Sequence, residues 1–296
     1  MFAAIQADAG GVNRWLHMRE PTPLDHQPVI RQNRDTLYSM AVVDISAGAT
    51  VTIPDAGGRY LSVMPVNQDH YVNRVLHDPG EHELTVALYD TPHVLVGGRI
   101  LVDPREPDDI AEVNRLQDQL AIAAASAEPF LMPEYDEASF AATRQSLLEL
   151  AKGIEGFDRA FGTRDAVDPV RHLIGTAAGW AGLPEYEAYY VNVDPGLPVG
   201  SYRLTVGSVP VDAFWSISVY NAAGYFEPND LGAYSINSVT AVPDEDGSIT
   251  VNIGGCHDDR PNCIPITDGW NYTVRLYRPR PEILDGTWTF PAIEPA

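Results

Sequence analysis

The sequence predicts a mainly β protein in which two β-sandwich units, jelly-roll-like in arrangement, are joined by a helical segment. Two β-rich regions and the stretch between them support this fold class. In residues 37–102 and again from residue 186 onward, short runs rich in Val, Ile, Thr and aromatic residues alternate with turns that contain Gly, Pro and Asp. The intervening stretch instead places apolar residues at helical spacing.

The N-terminal third predicts a short helix, an extended arm and a series of strands. The helix is expected within residues 2–19, and prolines at 21, 23 and 28 favour an extended backbone after it. The β pattern then predicts strands at 40–45, 50–53, 59–66, 82–87, 92–96 and 99–102.

The middle third predicts helices, because residues 107–122 and 136–152 each place apolar side chains on one face. A further helix should begin at Asp168-Pro169, since Asp can cap a helix and Pro fits its first position. Gly179 and Gly182 are expected to end that helix. The predicted organisation is therefore an N-terminal β unit at 1–105, a helical connector at 106–184 and a C-terminal β-sandwich at 185–296.

In the C-terminal region, apolar and polar side chains alternate in strand fashion at 202–206, 214–220, 249–253 and 270–276. Aromatic residues are frequent there, enough to line a pocket or to form a platform on which a sugar could stack. Core filling explains most of them equally well and is favoured for Trp215 and Trp270.

Composition excludes some classes of function. The formal net charge of -22, from 41 acidic and 19 basic residues, disfavours nucleic acid and anionic membrane surfaces as partners. Lys152 is the only lysine, so a Schiff-base mechanism would depend on that residue alone. No run approaches the length of a membrane span, and no signal peptide is visible. A cytoplasmic location is expected from the sequence as written, or a periplasmic or secreted one if a leader is missing.

Several motifs carry a family resemblance. In the N-terminal part they lie at residues 33–38, 66–71, 101–104 and 116–118, and in the C-terminal part at 210–216, 234–236, 269–272, 275–279 and 283–288. With these motifs the chain closely resembles bacterial proteins that pair two domains of unknown function, DUF1254 and DUF1214. The resemblance implies two β-sandwich units and a soluble protein, without a settled reaction. Many relatives carry an export signal, which this sequence lacks.

Two polar clusters are the best site candidates. Residues 31–36 place strongly polar side chains directly before an apolar strand, and residues 67–71 follow the apolar run 60–66. Burying such side chains without partners is unfavourable, so we expect the clusters to face each other across the N-terminal sheet around one site. On an extended backbone Arg31, Asn33 and Asp35 would share one side of the chain, with Gln32, Arg34 and Thr36 on the other.

The residue types suggest acid–base chemistry on an anionic ligand. The predicted roles are a general base, a carboxylate that orients it, further proton-transfer groups, and side chains that bind the substrate. The catalytic candidates are His70, Asp69, Asp35 and Tyr38, and the substrate-binding candidates are Arg34, Asn33, Gln68 and Arg275. An architectural network around Arg34 and Asp35, and a solvent-facing Arg275, remain open alternatives.

Metal and cofactor motifs are weak or absent. His77 and His82 lie among acidic residues but lack a zinc motif, so no metal site is predicted. No Walker loop, dinucleotide fingerprint or nucleophile elbow is present, so no organic cofactor is expected. Cys256 and Cys263 are a disulfide candidate, with free thiols or half a zinc site as alternatives.

Two functions remain open on this basis. The first is a cofactor-independent enzyme that acts on a small polar or carboxylated metabolite by acid–base chemistry. The second is a non-catalytic β-sandwich protein that binds a carbohydrate or a partner chain. A homo-oligomer is expected in either case, because extended β sheets favour association.

Overall fold

A computed structural model of the chain describes residues 1–27, 29–154, 156–257 and 260–296. The protein is mainly β and divides into two compact units. The first unit comprises Met1–Arg19, Thr36–Val102 and Pro107–Glu185, and the second comprises Glu20–Asp35, Asp103–Glu106 and Tyr186–Ala296. The middle helices therefore belong to the first unit rather than to a separate connector. Residues 20–35, which include the predicted extended arm, belong to the second unit; Pro28 lies outside the described residues.

The first unit contains two antiparallel sheets. The strands of these sheets are β1 Leu16–His17, β2 Thr36–Asp44, β3 Ala49–Ile53, β4 Leu61–Asn67, β5 Gly80–Leu84, β6 His93–Leu101 and β7 Ala121–Ala124. The strand orders are β1-β2-β6-β4 and β5-β3-β7. Both sheets contribute to one core, in which Val43 of β2, Val51 of β3, Val63 of β4 and Val96 of β6 are fully buried.

The helices of the first unit are α1 Phe2–Asp8, α2 Val86–Tyr89, α3 Pro107–Gln119, α4 Glu137–Ala151 and α5 Pro169–Ala178. The predicted start of α5 is confirmed, because the Asp168 carboxylate accepts hydrogen bonds from the main chain of Val170 and Arg171. The helix predicted at 136–152 is confirmed as α4, but none of its residues is buried.

One strand replaces two predicted ones. The sequence suggested a break between 92–96 and 99–102, but β6 runs from His93 through Gly97 and Gly98 to Leu101. Both glycines remain paired, Gly97 with Met40 and Met64, and Gly98 with Ser39 and Val63. A central position between two strands keeps these glycines extended despite their weak strand propensity.

The second unit also contains two sheets. Its elements are β8 Ala188–Val193, β9 Tyr202–Val206, β10 Trp215–Tyr220, β11 Ser235–Asn237, β12 Ile249–Ile253, β13 Cys263–Ile264, β14 Asn271–Tyr277, α6 Pro281–Leu284 and β15 Glu294–Pro295. The strand orders are β11-β10-β14-β8 and β13-β12-β9-β15. All pairs are antiparallel except the short parallel pair of β12 and β13.

The two sheets of the second unit share one hydrophobic core. Ile217 of β10 and Val274 of β14 meet Leu204 of β9 and Val251 of β12 there. Trp215 and Trp270 belong to this core, as the sequence favoured. In the part of the chain that the structure describes, no helix combines the length and apolar character that a membrane span requires.

Candidate functional site

One face of the β11-β10-β14-β8 sheet is apolar and the other is polar. Trp215, Ile217 and Val219 of β10 point into the core, so Ser216, Ser218 and Tyr220 lie on the opposite face. The register places Ser216 opposite both Arg275 and Asn237, and Ser218 opposite Thr273 and Ser235. All of these polar residues except the half-buried Ser235 are buried. A polar face that is removed from water requires hydrogen-bond partners, which identify what covers it.

The arm of residues 20–35 supplies these partners. The Asn33 side-chain amide donates to the Tyr277 hydroxyl at 2.9 Å, and the Tyr220 hydroxyl donates to the main-chain carbonyl of Gln32 at 2.7 Å. The arm is not a regular extended run, because Arg31 has a φ of 52° and the Asn33 Oδ1 accepts from the Asp35 N–H at 2.9 Å. The predicted alternation of residues 31–36 between two sides therefore does not hold.

Asp35 is the buried carboxyl of this face, with a relative exposure of 0%. Its Oδ2 accepts a hydrogen bond from the Ser216 hydroxyl at 2.6 Å. Its Oδ1 is buried and has no hydrogen-bond partner among the described residues. Burial raises the pKa of Asp35, against the opposing influence of the Arg275 guanidinium and of the Ser216, Ser235 and Asn237 side chains. Asp35 thus has the character of a carboxylic acid that holds its proton more tightly than an exposed one.

Arg275 is the buried cation of the same face, with a relative exposure of 3%. Its guanidinium donates to the Ser218 and Tyr220 hydroxyls, each at 2.8 Å, and to the Arg31 and Gln32 carbonyls at 2.7 and 3.2 Å. Burial acts to lower the pKa of Arg275, but Tyr220, Tyr277 and Asp35 raise it above the ordinary value. Arg275 is therefore cationic and bound to the arm, which rules out the solvent-facing alternative.

Arg34 lines an open pocket in the second unit with about 350 Å³ of empty space, solvent included. One guanidinium nitrogen donates to the Thr22 carbonyl, and the guanidinium carbon lies 5.4 Å from the centroid of the Tyr234 ring. Its Nε is buried without a partner, and no carboxylate of the described residues forms an ion pair with it. Burial lowers the pKa of Arg34, with Tyr234 acting in the opposite direction.

The other walls of this pocket are polar. Ser235 and Asn237 belong to its lining, and their side chains also lower the pKa of Asp35. Arg105 is a second cation of the lining, but it pairs with Asp103 at 3.4 Å. Asp103 itself belongs to the lining, and the remaining lining residues are Pro104, Gly232, Tyr234 and Thr240.

His70 belongs to the first unit and is buried there at a φ of 68°. Its Nε2 accepts from the main-chain N–H of Ala181 at 2.7 Å, which leaves Nδ1 as the protonated nitrogen, 3.0 Å from the Thr176 hydroxyl. Burial, with a smaller contribution from His172, lowers the pKa of His70 to about 4. The only lone pair of the neutral ring is therefore already engaged by the backbone.

The Asp69 carboxylate does not orient His70 as the sequence suggested. It forms an exposed ion pair with Arg164 at 3.3 Å, and Arg164 in turn lies 4.6 Å from the centroid of the Tyr71 ring. Tyr71 stacks on His172 with 4.7 Å between ring centroids. The nitrogens of His172 face two main-chain carbonyl oxygens, those of Ala160 at 2.9 Å and Asp69 at 3.2 Å.

Gln68 and Tyr38, also of the first unit, contact other residues of that unit. Gln68 is exposed, and its Oε1 accepts from the His93 N–H at 3.4 Å. The ring of Tyr38 lies 5.6 Å from the guanidinium carbon of Arg99, and its main-chain carbonyl accepts from Gln117 at 3.0 Å. Asp69 and His70 thus belong to the first unit, whereas Arg34, Asp35, Asn33 and Arg275 belong to the second. The contacts given above for each of the two predicted clusters lie within that cluster's own unit.

The aromatic residues of the second unit are mostly buried. Trp215, Tyr220, Phe226, Trp270 and Tyr272 are all 5% exposed or less, so their faces are not available for stacking on a sugar. The two cysteines form a disulfide, with 5.8 Å between the Cα atoms of Cys256 and Cys263.

The sequence did not mark Ser216, Ser218, Ser235 or Asn237 as site residues, and it marked Tyr220 only as one of the aromatic residues that could line a pocket. A signal was present in β10, where two serines and a tyrosine alternate with large apolar residues. Small polar residues at every second position of a buried strand indicate a polar face that another segment must cover. Ser235 and Asn237 carry no such local signal, since β11 has only three residues.

The fold and the site together define a mainly β protein whose N-terminal arm contacts a polar sheet face that contains a buried carboxyl and a buried arginine. Arg34 of the same arm lines a polar pocket. Residues 12–80 match the family model described as a protein of unknown function, DUF1254, and residues 197–281 match that of DUF1214. The chain belongs to the proteins that carry these two domains together, as its motifs predicted. Arg34, Asp35 and His70 lie within the first match, and Ser216, Ser235 and Arg275 within the second.

Solved structures support the fold. A crystal structure of the VPA0106 protein from Vibrio parahaemolyticus is similar, with a TM-score of 0.73 and 21% identity over 93% of this chain and 92% of that chain. A putative uncharacterized protein from Burkholderia cenocepacia has a TM-score of 0.57 and 16% identity, over 99% of this chain and 83% of that one. No curated protein matches the chain.

Proposed function

We propose that the second unit binds a small carboxylated metabolite at Arg34 and that Asp35 is the acid–base group beside it. The observation that carries this proposal is the open polar pocket lined by Arg34, whose buried Nε has no hydrogen-bond partner among the described residues. Asp35 is linked to this pocket through Ser235 and Asn237, which line it and whose side chains lower the pKa of the Asp35 carboxyl. Native proteins leave few buried polar atoms unpaired, so the Arg34 Nε at this pocket is a donor that a ligand would satisfy.

Arg34 is suited to an anionic ligand because its guanidinium has no carboxylate partner of its own among the described residues. A planar guanidinium binds a carboxylate through two parallel hydrogen bonds, and a buried Nε is one of the donors that such a pair uses. Arg105 is already paired with Asp103, so Arg34 is the cation of the lining that a ligand would neutralise.

Asp35 would exchange a proton with the ligand through Ser235, which lines the pocket and whose side chain influences the carboxyl. Burial raises the pKa of a carboxyl toward neutral pH, so a buried carboxyl is a better proton donor near neutral pH than an exposed one. Ser216 holds the other oxygen at 2.6 Å and so fixes the orientation of the group. Asp35 takes the acid–base role in this proposal instead of His70, because both ring nitrogens of His70 already have partners.

Arg34→Gln tests the anion site. Malonate, succinate, citrate, lactate and inorganic phosphate would be screened as probes for a rise in melting temperature, since a ligand of the native state stabilises it. For a carboxylate that raises the melting temperature of the parent protein, titration calorimetry should show affinity about 10- to 100-fold weaker in Arg34→Gln. This is the loss of one charged hydrogen-bond pair, about 1.5–3 kcal/mol.

Arg203→Gln is the matched control, because Arg203 is an exposed arginine of β9 in the same unit. It should bind the probe as the parent does. Equal affinity in the parent and in Arg34→Gln would contradict the assignment of Arg34, as would the failure of every carboxylate to bind.

Asp35→Asn should make the protein more stable than the parent as the pH rises. The folded-state pKa of Asp35 is raised, so its contribution to stability is complete below the unfolded pKa of 3.8 and is lost as pH rises toward the folded value. Asparagine can still accept the hydrogen bond from Ser216 and does not ionise. Urea unfolding from pH 4 to pH 8 should show a difference that grows with pH in favour of the variant. A constant difference would show that Asp35 is ionised normally.

A further inference from the structure

The segment that contains α4 is exposed to an unusual extent. Residues 131–146 are exposed without interruption, and the 15-residue helix α4 has no buried residue at all. The segment nevertheless carries large apolar side chains, with Leu131 80%, Met132 52%, Tyr135 49% and Phe140 58% exposed. The rings of Tyr135 and Phe140 pack on each other at 5.3 Å between centroids.

A helix of this length is only marginally stable in water without packing, and most helical stability in proteins comes from burial of an apolar face. A contiguous group of exposed apolar side chains on a soluble surface marks an interaction site. α4 lies against α5, but residues 131–146 stay exposed, so a partner that covers them would stabilise the segment. The charges on α4 indicate which partner fits.

Four residues of α4 share one face because they lie at positions i, i+3, i+4 and i+7, namely Glu137, Phe140, Ala141 and Arg144. Glu137 and Arg144 are both exposed, and neither has an ion-pair partner among the residues that the structure describes. The two opposite charges are placed evenly about the midpoint between Phe140 and Ala141.

This arrangement is self-complementary. When two copies of such a helix pack antiparallel about a two-fold axis at that midpoint, Glu137 of each copy meets Arg144 of the other. The large Phe140 ring of each copy then lies against the small Ala141 of the other. A two-fold pairing of identical helices requires this symmetric placement of charge, whereas binding to an unrelated protein does not. The symmetry therefore favours a second copy of this chain as the partner.

We propose that α4 is the contact surface of a homodimer, in which two copies of this helix pair antiparallel through Phe140 and Ala141 and through two reciprocal Glu137–Arg144 ion pairs. The protein carries a net charge of -22, so two copies repel each other at most relative orientations. On this face of α4 the attraction between Glu137 and Arg144 of opposite copies offsets that repulsion locally.

Charge reversal at Glu137 and Arg144 tests the proposed α4 homodimer. Analytical ultracentrifugation of the full chain at 1–100 µM should show a dimer for the parent protein. Glu137→Arg alone and Arg144→Glu alone each replace two attractive pairs by two repulsive ones, so each should weaken dimerisation by about tenfold or more. The double variant E137R/R144E restores opposite charges across the axis and should dimerise again.

Circular dichroism of each variant verifies that the helix content is unchanged. Leu231→Glu, which changes an exposed apolar residue of the second unit, is the control and should dimerise as the parent does. A monomeric parent protein throughout the concentration range would overturn the proposal. So would a dimer that both single reversals leave intact, or a double variant that stays monomeric.

Discussion

Replacement of Arg275 by methionine should lower the free energy of unfolding by about 3–5 kcal/mol, the range for breaking a buried charged network from one side. The guanidinium satisfies the Arg31 and Gln32 carbonyls and holds the Ser218 and Tyr220 hydroxyls. Methionine fills a similar volume but donates nothing, so these groups stay buried with fewer partners. The variant would also leave Asp35 without its neighbouring cation.

Urea unfolding at neutral pH measures this loss, with Arg203→Met as the control at an exposed strand position of the same unit. The control should change stability by less than about 0.5 kcal/mol, as surface substitutions usually do. Limited proteolysis adds a local readout, because release of the arm should expose bonds within residues 20–35 to cleavage. If Arg275→Met unfolds like the parent, the arm is held by other contacts and the network described above is not the one that stabilises it.

His70 should make the protein lose stability as the medium becomes acidic. Its folded-state pKa is lowered from 6.5 to about 4, so its contribution is complete above pH 6.5 and is lost as pH falls toward 4. The full loss is about 3 kcal/mol, because the pKa of His70 is about 4 in the folded protein against an ordinary value of 6.5. Protonation would also place a donor against the Ala181 N–H, which already donates to this ring.

His70→Gln does not titrate in this range, so its stability should depend less on pH between 6.5 and 4. Trp180 is a suitable fluorescent reporter, because its ring lies 5.2 Å from that of His70. His26→Gln, at an exposed histidine, should retain the pH dependence of the parent protein. Identical pH profiles for the parent and His70→Gln would show that His70 titrates as an exposed histidine does.

Part of the fold could be predicted because it depends on local patterns. The alternation in β10 and β14 marks both strands, and Asp168-Pro169 marks the start of α5. Patterns failed where a neighbouring strand overrode local preference. Gly97 and Gly98 suggested a break, yet both are held in β6 by pairing on two sides. For α4, periodicity identified a helix but gave no information on whether its apolar side chains are covered.

The candidate site could be predicted only in part, because its contacts join residues that lie far apart in the sequence. The sequence marked Arg34, Asp35 and Arg275 as unusual polar residues, but it suggested that the first two face His70 across the N-terminal sheet. In the structure Asp35 instead hydrogen-bonds to Ser216, 181 positions away, and Arg275 to the carbonyl of Arg31, 244 positions away. No periodicity of 2 or 3.6 residues carries information over such separations.

The sequence by itself determined the mainly β class, the family and the helix start at Asp168, because periodicity, capping and motifs act over a few residues. The tertiary structure decided which polar groups are buried and which partners satisfy them. Burial of a polar group is tolerated only where a donor or acceptor meets it, and that partner can come from any part of the chain.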